Sequence, residues 1–301
     1  MNVIEKLNKR IDEVDSLVCV GLDSSLEKIP SHLQNERYPQ FAFNKAIIDV
    51  TADFVCAYKP NSAFYEARGE VGMKELKMTF DYIHNTHPEI VTILDAKRAD
   101  IGSTNEGYVQ YIFDYLGADS VTLHPYLGKE ALKPFLDRKD KGCIILCRTS
   151  NPGAGELQDL KCHFERSEKS SDQRERKHAS LDFSAAPRND TSMYLYEYVA
   201  LQVANDWNYN SNCMLVVGAT YPAEMKKIRS LVGNIPFLVP GVGVQGGDVE
   251  KTVKAGMDSN KRGMIISSSR GIIFASKKEN FAQKAGEESK KLKEEINLYR
   301  A

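Results

Sequence analysis

Val91-Thr92-Ile93-Leu94-Asp95-Ala96-Lys97-Arg98-Ala99-Asp100-Ile101-Gly102-Ser103-Thr104 begins as an apolar run, fills abruptly with charge, and then enters a helix-like pattern. A short apolar run rich in β-branched residues reads as a strand buried on both faces. Charge placed where such a strand ends, just before a helix, is the arrangement of a βα unit whose strand end carries chemistry. Residues i and i+2 of a strand point the same way, so Asp95 and Lys97 are expected to face one pocket, with Asp100 redirected by the following turn. Ser103 and Glu106 fit a capping box at the start of the next helix. The plainer reading is a solvated ion-pair cluster of little energetic consequence. Against it stands a second lysine, Lys59, which also ends an apolar run, Phe54-Val55-Cys56-Ala57-Tyr58-Lys59. Two such lysines and two carboxylates form an alternating array in which the anions favour the ammonium form of each lysine.

Outward from this stretch the same unit recurs. Runs at Leu17–Leu22, Phe54–Lys59, Ile90–Asp95, Ser120–His124, Cys143–Arg148, Met214–Gly218, Phe237–Pro240 and Met264–Ser267 read as eight strands. Amphipathic patterns at Asn2–Ser16, Glu70–Ile83, Ser103–Leu116, Met193–Ala204, Ala223–Leu231 and Phe281–Tyr299 read as helices between and around them. Alternation of this kind implies a parallel sheet, and eight units favour closure into a (β/α)8 TIM barrel, an α/β fold. No GxGxxG follows the first strand, which weakens a dinucleotide-binding sheet as the alternative. A chain of 301 residues suits one such domain.

Most strand-to-strand spacings are roughly 22–37 residues, but the fifth and sixth runs are about 70 apart. The excess lies at residues 161–190, a serine-containing stretch with many charges of both signs and few large apolar residues, expected to be a mobile surface insertion within the single domain. A docking site for a partner or RNA is the functional alternative to an insertion without a task. His163 and His178 within it lack the companion cysteine or carboxylate spacing of a metal site.

The last two strands lead into phosphate-like chemistry. Pro240-Gly241-Val242-Gly243-Val244-Gln245-Gly246-Gly247-Asp248 is a glycine-rich loop after the seventh run, and Ser267-Ser268-Ser269-Arg270-Gly271 opens a helix after the eighth. Glycines let backbone N–H groups approach an anion, and these two loops are the usual phosphate site of such barrels. Arg270 adds a guanidinium fork.

Bulk properties narrow the surroundings. A net charge of −1 provides no global field for nucleic acid or an anionic membrane, so nucleic acid and membrane are not expected partners. No apolar run is long enough to span a bilayer, and Met1–Arg10 lacks a signal-peptide core. The six cysteines show no CxxC pair and mostly sit in apolar segments, as free thiols of a reducing cytoplasm would.

The Asp95-Ala96-Lys97-Arg98-Ala99-Asp100-Ile101-Gly102-Ser103-Thr104 stretch resembles the Asp-x-Lys-x-x-Asp signature of the orotidine 5′-phosphate decarboxylases. Cys19–Asp23, Ala57–Asn61, Thr122–Gly128, Cys147–Gly153, Val217–Pro222 and Pro240–Asp248 resemble other strand-end segments of that family, in order, over nearly the whole chain. The wording Thr149-Ser150-Asn151-Pro152-Gly153-Ala154-Gly155-Glu156-Leu157-Gln158-Asp159-Leu160 is similar to the longer bacterial subgroup. The resemblance implies decarboxylation of orotidine 5′-phosphate to uridine 5′-phosphate, with no cofactor and no metal. It further implies Lys97 as proton donor to C6 of the pyrimidine, Asp95 beside the departing carboxylate, and Lys59 between Asp95 and a ribose hydroxyl. Asp100 and Thr104 would reach into the other subunit of a homodimer with shared active sites. Asp23 and Thr104 would hold ribose hydroxyls, Ser150 would read the ring, and Gln245, Gly246 and Arg270 would serve the phosphate, with the Pro240–Asp248 loop as a lid. His124 receives no role. Two rivals stand beside this reading. Magnesium-dependent sugar-phosphate lyases and decarboxylases share the fold and the signature, but end their second strand in a carboxylate where this chain has Lys59. A non-catalytic binding protein would use the insertion instead.

Overall fold

Eight of the short apolar runs pair in parallel and close on themselves. In the computed structural model, which describes residues 1–163, 192–242 and 247–300, the barrel strands are β1 (Val18–Val20), β2 (Ala57–Tyr58), β3 (Val91–Arg98), β4 (Ser120–Leu123) and β5 (Gly142–Arg148), followed after a hairpin by β8 (Cys213–Val217), β9 (Phe237–Pro240) and β10 (Met264–Ser268). Each pairs with its sequence neighbour in the barrel, and β1 meets β10, with Val18 opposite Ile266, to close the circle. Closure buries both faces of every strand, one against the barrel interior and one against helices, which is why the runs are continuously apolar rather than alternating. Val18, Val91, Ile93, Ile144, Leu215 and Ile265 all lie in this core.

The first helix, Val3–Val14, is set by a capping box in which the Asn2 and Glu5 side chains each accept the other's backbone N–H (2.9 and 2.8 Å). Arg10 on this helix donates to the carbonyls of Ala52 and Val55, ahead of β2, so the helix lies under the N-terminal end of the barrel. Helices Pro39–Thr51, Gly128–Leu136 and Val249–Gly256 complete the connections after β1, β4 and β9; the amphipathic patterns read from the sequence did not include them.

Two local expectations are corrected. The helix after β3 starts at Gly102 with Ile101 as its N-cap and no side-chain cap, so Ser103 lies inside the helix and makes no capping box with Glu106. Asn105 ties the turn instead, accepting the Asp100 N–H (2.8 Å) and donating to the Asp100 carbonyl. Met193 is not helical: Ser192–Tyr194 forms β7, antiparallel to β6 (Lys161–His163), and the helix begins at Leu195. These two strands flank the charged segment expected to be an insertion. Its first three residues are thus a strand, and its remainder, including His178, lies outside the described residues. Cys19, Cys56, Cys143, Cys147 and Cys213 are buried free thiols, and burial pushes the Cys19 thiol up to about 12.

Candidate active site

The parallel sheet delivers the C-terminal ends of its strands to one rim, and the charged residues gather there. β2 leads into Lys59, whose N–H is bonded to the Val20 carbonyl (2.9 Å) and whose carbonyl takes the Leu22 N–H (3.2 Å). Beyond it Asn61 pairs with Asp95 in an isolated bridge, with the Asp95 N–H on the Pro60 carbonyl (3.0 Å). Lys59 and Asp95 are therefore held by backbone pairing before their side chains meet. Lys59 Nζ donates to Asp95 Oδ2 (2.9 Å), and Lys97 Nζ donates to Asp95 Oδ1 (2.6 Å). Thr122 at the end of β4 donates to the same Oδ1 (2.9 Å) and accepts the Lys97 N–H (3.0 Å).

Simple strand alternation does not explain how Lys97 reaches its place. The β3–β4 ladder shifts register between Leu94 and Arg98, and Lys97 has φ +46°. A non-glycine residue in that region costs about 1–2 kcal/mol, and such strain collects at functional sites. The conformation leaves the Lys97 side chain 48% exposed, against 6% for Lys59 and 12% for Asp95. Burial alone would raise the Asp95 carboxyl, but the ammonium groups of Lys59 and Lys97 outweigh it and hold it well below the usual carboxylate range. For Lys59, burial works against charge, yet Asp95 and Asp23 overcome it and raise the amine above its ordinary value. Both members of this pair are thus ionised throughout the neutral range.

A cavity of about 540 Å³ opens above the cluster, a size suited to a nucleotide. Asp23, Lys59, Asp95, Lys97, Ser150, Gly241 and Ser267–Gly271 all line it, so the charged array and the rim after β9 and β10 belong to one site. Asp23 accepts the Asn61 N–H (3.2 Å). Gly21 admits this packing, because a Cβ there would stand 2.7 Å from that of Ser269. Arg270 is exposed at the mouth.

Two of the expected residues are not brought to this cavity. Asp100 binds the Ile101 N–H (2.7 Å) and Thr104 is exposed on the following helix; neither lines the cavity of its own chain. Gln245 and Gly246 lie outside the described residues. Conversely, Asn61, Thr122, Thr149 and Gln158 line the site without having been assigned a role from sequence. Thr122 stands on β4, which pairs with β3, and only that pairing sets it beside the signature.

Fold and site together define a (β/α)8-barrel enzyme with its polar residues gathered over one end of the barrel. Residues 16–285 match the model of the orotidine 5′-phosphate decarboxylase / HUMPS family, and the chain belongs to that family. It is 45% identical over 303 residues to the orotidine 5′-phosphate decarboxylase of Cellvibrio japonicus (strain Ueda107), covering 100% of both chains. It is 43% identical over 300 residues to that of Azoarcus sp. (strain BH72), again covering 100% of each. Among solved structures, the Leishmania donovani OMP decarboxylase superposes with a TM-score of 0.76 at 31% identity, covering 100% of this chain and 99% of the other. The Leishmania donovani UMP synthase gives 0.80 at 32% identity, and there the chain spans 57% of the longer protein.

Proposed function

We propose that the chain decarboxylates orotidine 5′-phosphate to uridine 5′-phosphate in pyrimidine biosynthesis, without a cofactor or metal. The observation that carries this is one cavity lined by the Lys59–Asp95–Lys97 cluster, Ser150 and Arg270. Loss of carbon dioxide from C6 leaves a vinyl carbanion whose lone pair lies in the ring plane, outside the π system, and no cofactor accepts those electrons, so the protein must supply localised positive charge. The Lys97 ammonium stabilises that charge and then donates its proton to C6. Asp95 keeps the ammonium charged and stands beside the departing carboxylate, while buried Lys59 fixes Asp95 and reaches a ribose hydroxyl.

Asp23 binds ribose, Ser150 reads the ring, and Arg270, with Gln245 and Gly246, holds the phosphate. Phosphate lies far from C6, so its binding energy is available for closing the site around the reacting centre. Enzymes lower barriers by about 8–23 kcal/mol, more than one ammonium provides, which is why a closed site is part of the proposal.

Asp100 and Thr104 act in the second subunit of a homodimer, a reading supported by their position off the cavity of their own chain. The setting is cytoplasmic; none of the helices is long and apolar enough to cross a membrane among the described residues. Lys59 also speaks against the magnesium-dependent relatives, since an ammonium occupies the strand end where they carry a carboxylate.

The test is the ultraviolet change of orotidine 5′-phosphate on incubation with the purified chain in EDTA. Turnover undiminished by the chelator is expected. Absence of turnover, or turnover restored only by magnesium, would overturn the proposal.

A further inference from the structure

The segment that follows β5 is gripped from both sides. On one side it presses on the end of β8: a Cβ on Gly218 would stand 2.8 Å from both the Cβ and the backbone nitrogen of Ser150. On the other side the Gln158 carboxamide holds Thr149 by two bonds. Oε1 accepts the Thr149 N–H (2.9 Å), and Nε2 donates to Thr149 Oγ1 (2.9 Å). Thr149 Oγ1 in turn donates to Asn151 Oδ1 (2.7 Å). The second lone pair of Gln158 Oε1 faces Arg148 Nη1 (3.3 Å). Arg148 is itself buried, with its guanidinium carbon 4.0 Å from the Tyr221 ring centre and Nη2 on Asp159 Oδ2 (3.3 Å). A buried guanidinium thus stands behind the amide, and both polar atoms of the amide are engaged with Thr149.

We propose that Gln158 is a positioning residue that fixes Thr149–Asn151 at the ring-reading end of the cavity and so sets selectivity for the pyrimidine base. The inference rests on the reading given above that Ser150 faces the ring. Gln158 spends its hydrogen bonds on the loop, so its effect passes through Thr149 and Ser150. A glutamate of equal length keeps the acceptor for the Thr149 N–H but loses the donor to Oγ1. It also adds a negative charge to a cavity meant for an anionic nucleotide.

The experiment is calorimetric binding of two probes, uridine 5′-phosphate and ribose 5-phosphate, to the wild type, Gln158→Ala, Gln158→Glu, Thr149→Val and the Gln158→Ala/Thr149→Val double variant. Ribose 5-phosphate carries the phosphate and sugar but no ring. In Gln158→Ala, uridine 5′-phosphate is expected to weaken roughly tenfold while ribose 5-phosphate changes less than about twofold, the scale of one or two neutral hydrogen bonds. The Gln158→Ala/Thr149→Val double variant should weaken the nucleotide little beyond the worse single, because the two residues act as one unit. Gln158→Glu, closer in shape, guards against misfolding; its added charge should weaken both anionic probes, with the larger loss on uridine 5′-phosphate.

Equal losses on both probes, or an unchanged nucleotide affinity, would overturn the positioning role. A wild type that binds neither probe and does not turn over orotidine 5′-phosphate would instead overturn the reading of the site. The two failures are therefore told apart by the wild type alone.

Discussion

Both rims of the barrel carry a lysine–aspartate pair braced by a threonine, and the two are put to different ends. At the N-terminal rim, Lys6 Nζ meets Asp119 Oδ2 at 2.8 Å, and the same oxygen accepts the Thr92 N–H (2.8 Å) and hydroxyl (3.0 Å). His84 closes the group on Thr92 (3.2 Å), and burial lowers its pKa. Lys6 and Asp119 are alike in exposure, at 16% and 19%. At the C-terminal rim, Asp95 carries two lysines, Thr122 takes the brace, and Lys97 remains half-exposed over a cavity. The chemistry of the groups is nearly the same. What differs is whether an amine is used up by its neighbours or held charged with one side open, and only the second arrangement can meet a substrate.

The largest expected effect divides the rims most sharply. Lys97→Ala should cut kcat by at least about a thousandfold, the loss expected of the proton donor and charge stabiliser proposed above. Its melting temperature should shift little, because half-exposed ion pairs contribute little to stability. Asp119→Ala should do the reverse, costing about 2–4 kcal/mol in urea unfolding by leaving Lys6 and the Thr92 N–H without their acceptor. Its kcat should stay within about twofold of wild type, since chemistry sits at the opposite rim. An activity loss in Asp119→Ala with the fold intact would break the comparison. Arg270→Ala sharpens it within the upper rim: KM should rise by roughly 10- to 100-fold with a smaller change in kcat, the pattern of lost binding rather than lost chemistry.

The smallest effect concerns pH. The Asp95 carboxyl is depressed, so its contribution to folding is complete above its ordinary value of 3.8 and drains away as pH falls towards the lower folded value. The Lys59 amine is raised, so its contribution is complete below its ordinary 10.5 and is lost only at still higher pH. Stability from this cluster should be level between those limits. Asp95→Asn should flatten the acid limb of an unfolding-midpoint curve; an unchanged limb would mean the carboxyl is not held as described.

Much of this arrangement was legible beforehand because buried parallel strands are written as short apolar runs, and charge at their ends stands out against them. All eight barrel strands were found that way, Phe237–Pro240 to the residue. Helices with weaker stripes, such as Pro39–Thr51, left little periodic signal, since their buried face includes Gln40, Asn44 and Thr51. Two of these polar side chains donate to tertiary partners, Gln40 to the Ser24 carbonyl and Asn44 to the Tyr65 hydroxyl. In the site, Lys59, Asp95 and Lys97 were visible as charges out of place. Thr122 and Gln158 were not, because a threonine at a strand end and a glutamine in a short helix are unremarked until their neighbours are known. The left-handed backbone at Lys97 was equally silent, as lysine shows no preference for it.

The most direct test is a crystal structure of the chain with uridine 5′-phosphate bound. The account expects Lys97 Nζ within roughly 3–3.5 Å of C6, Ser150 against the ring, and the phosphate on Arg270. A nucleotide bound with its ring away from Lys97, and that amine turned to bulk water, would contradict it.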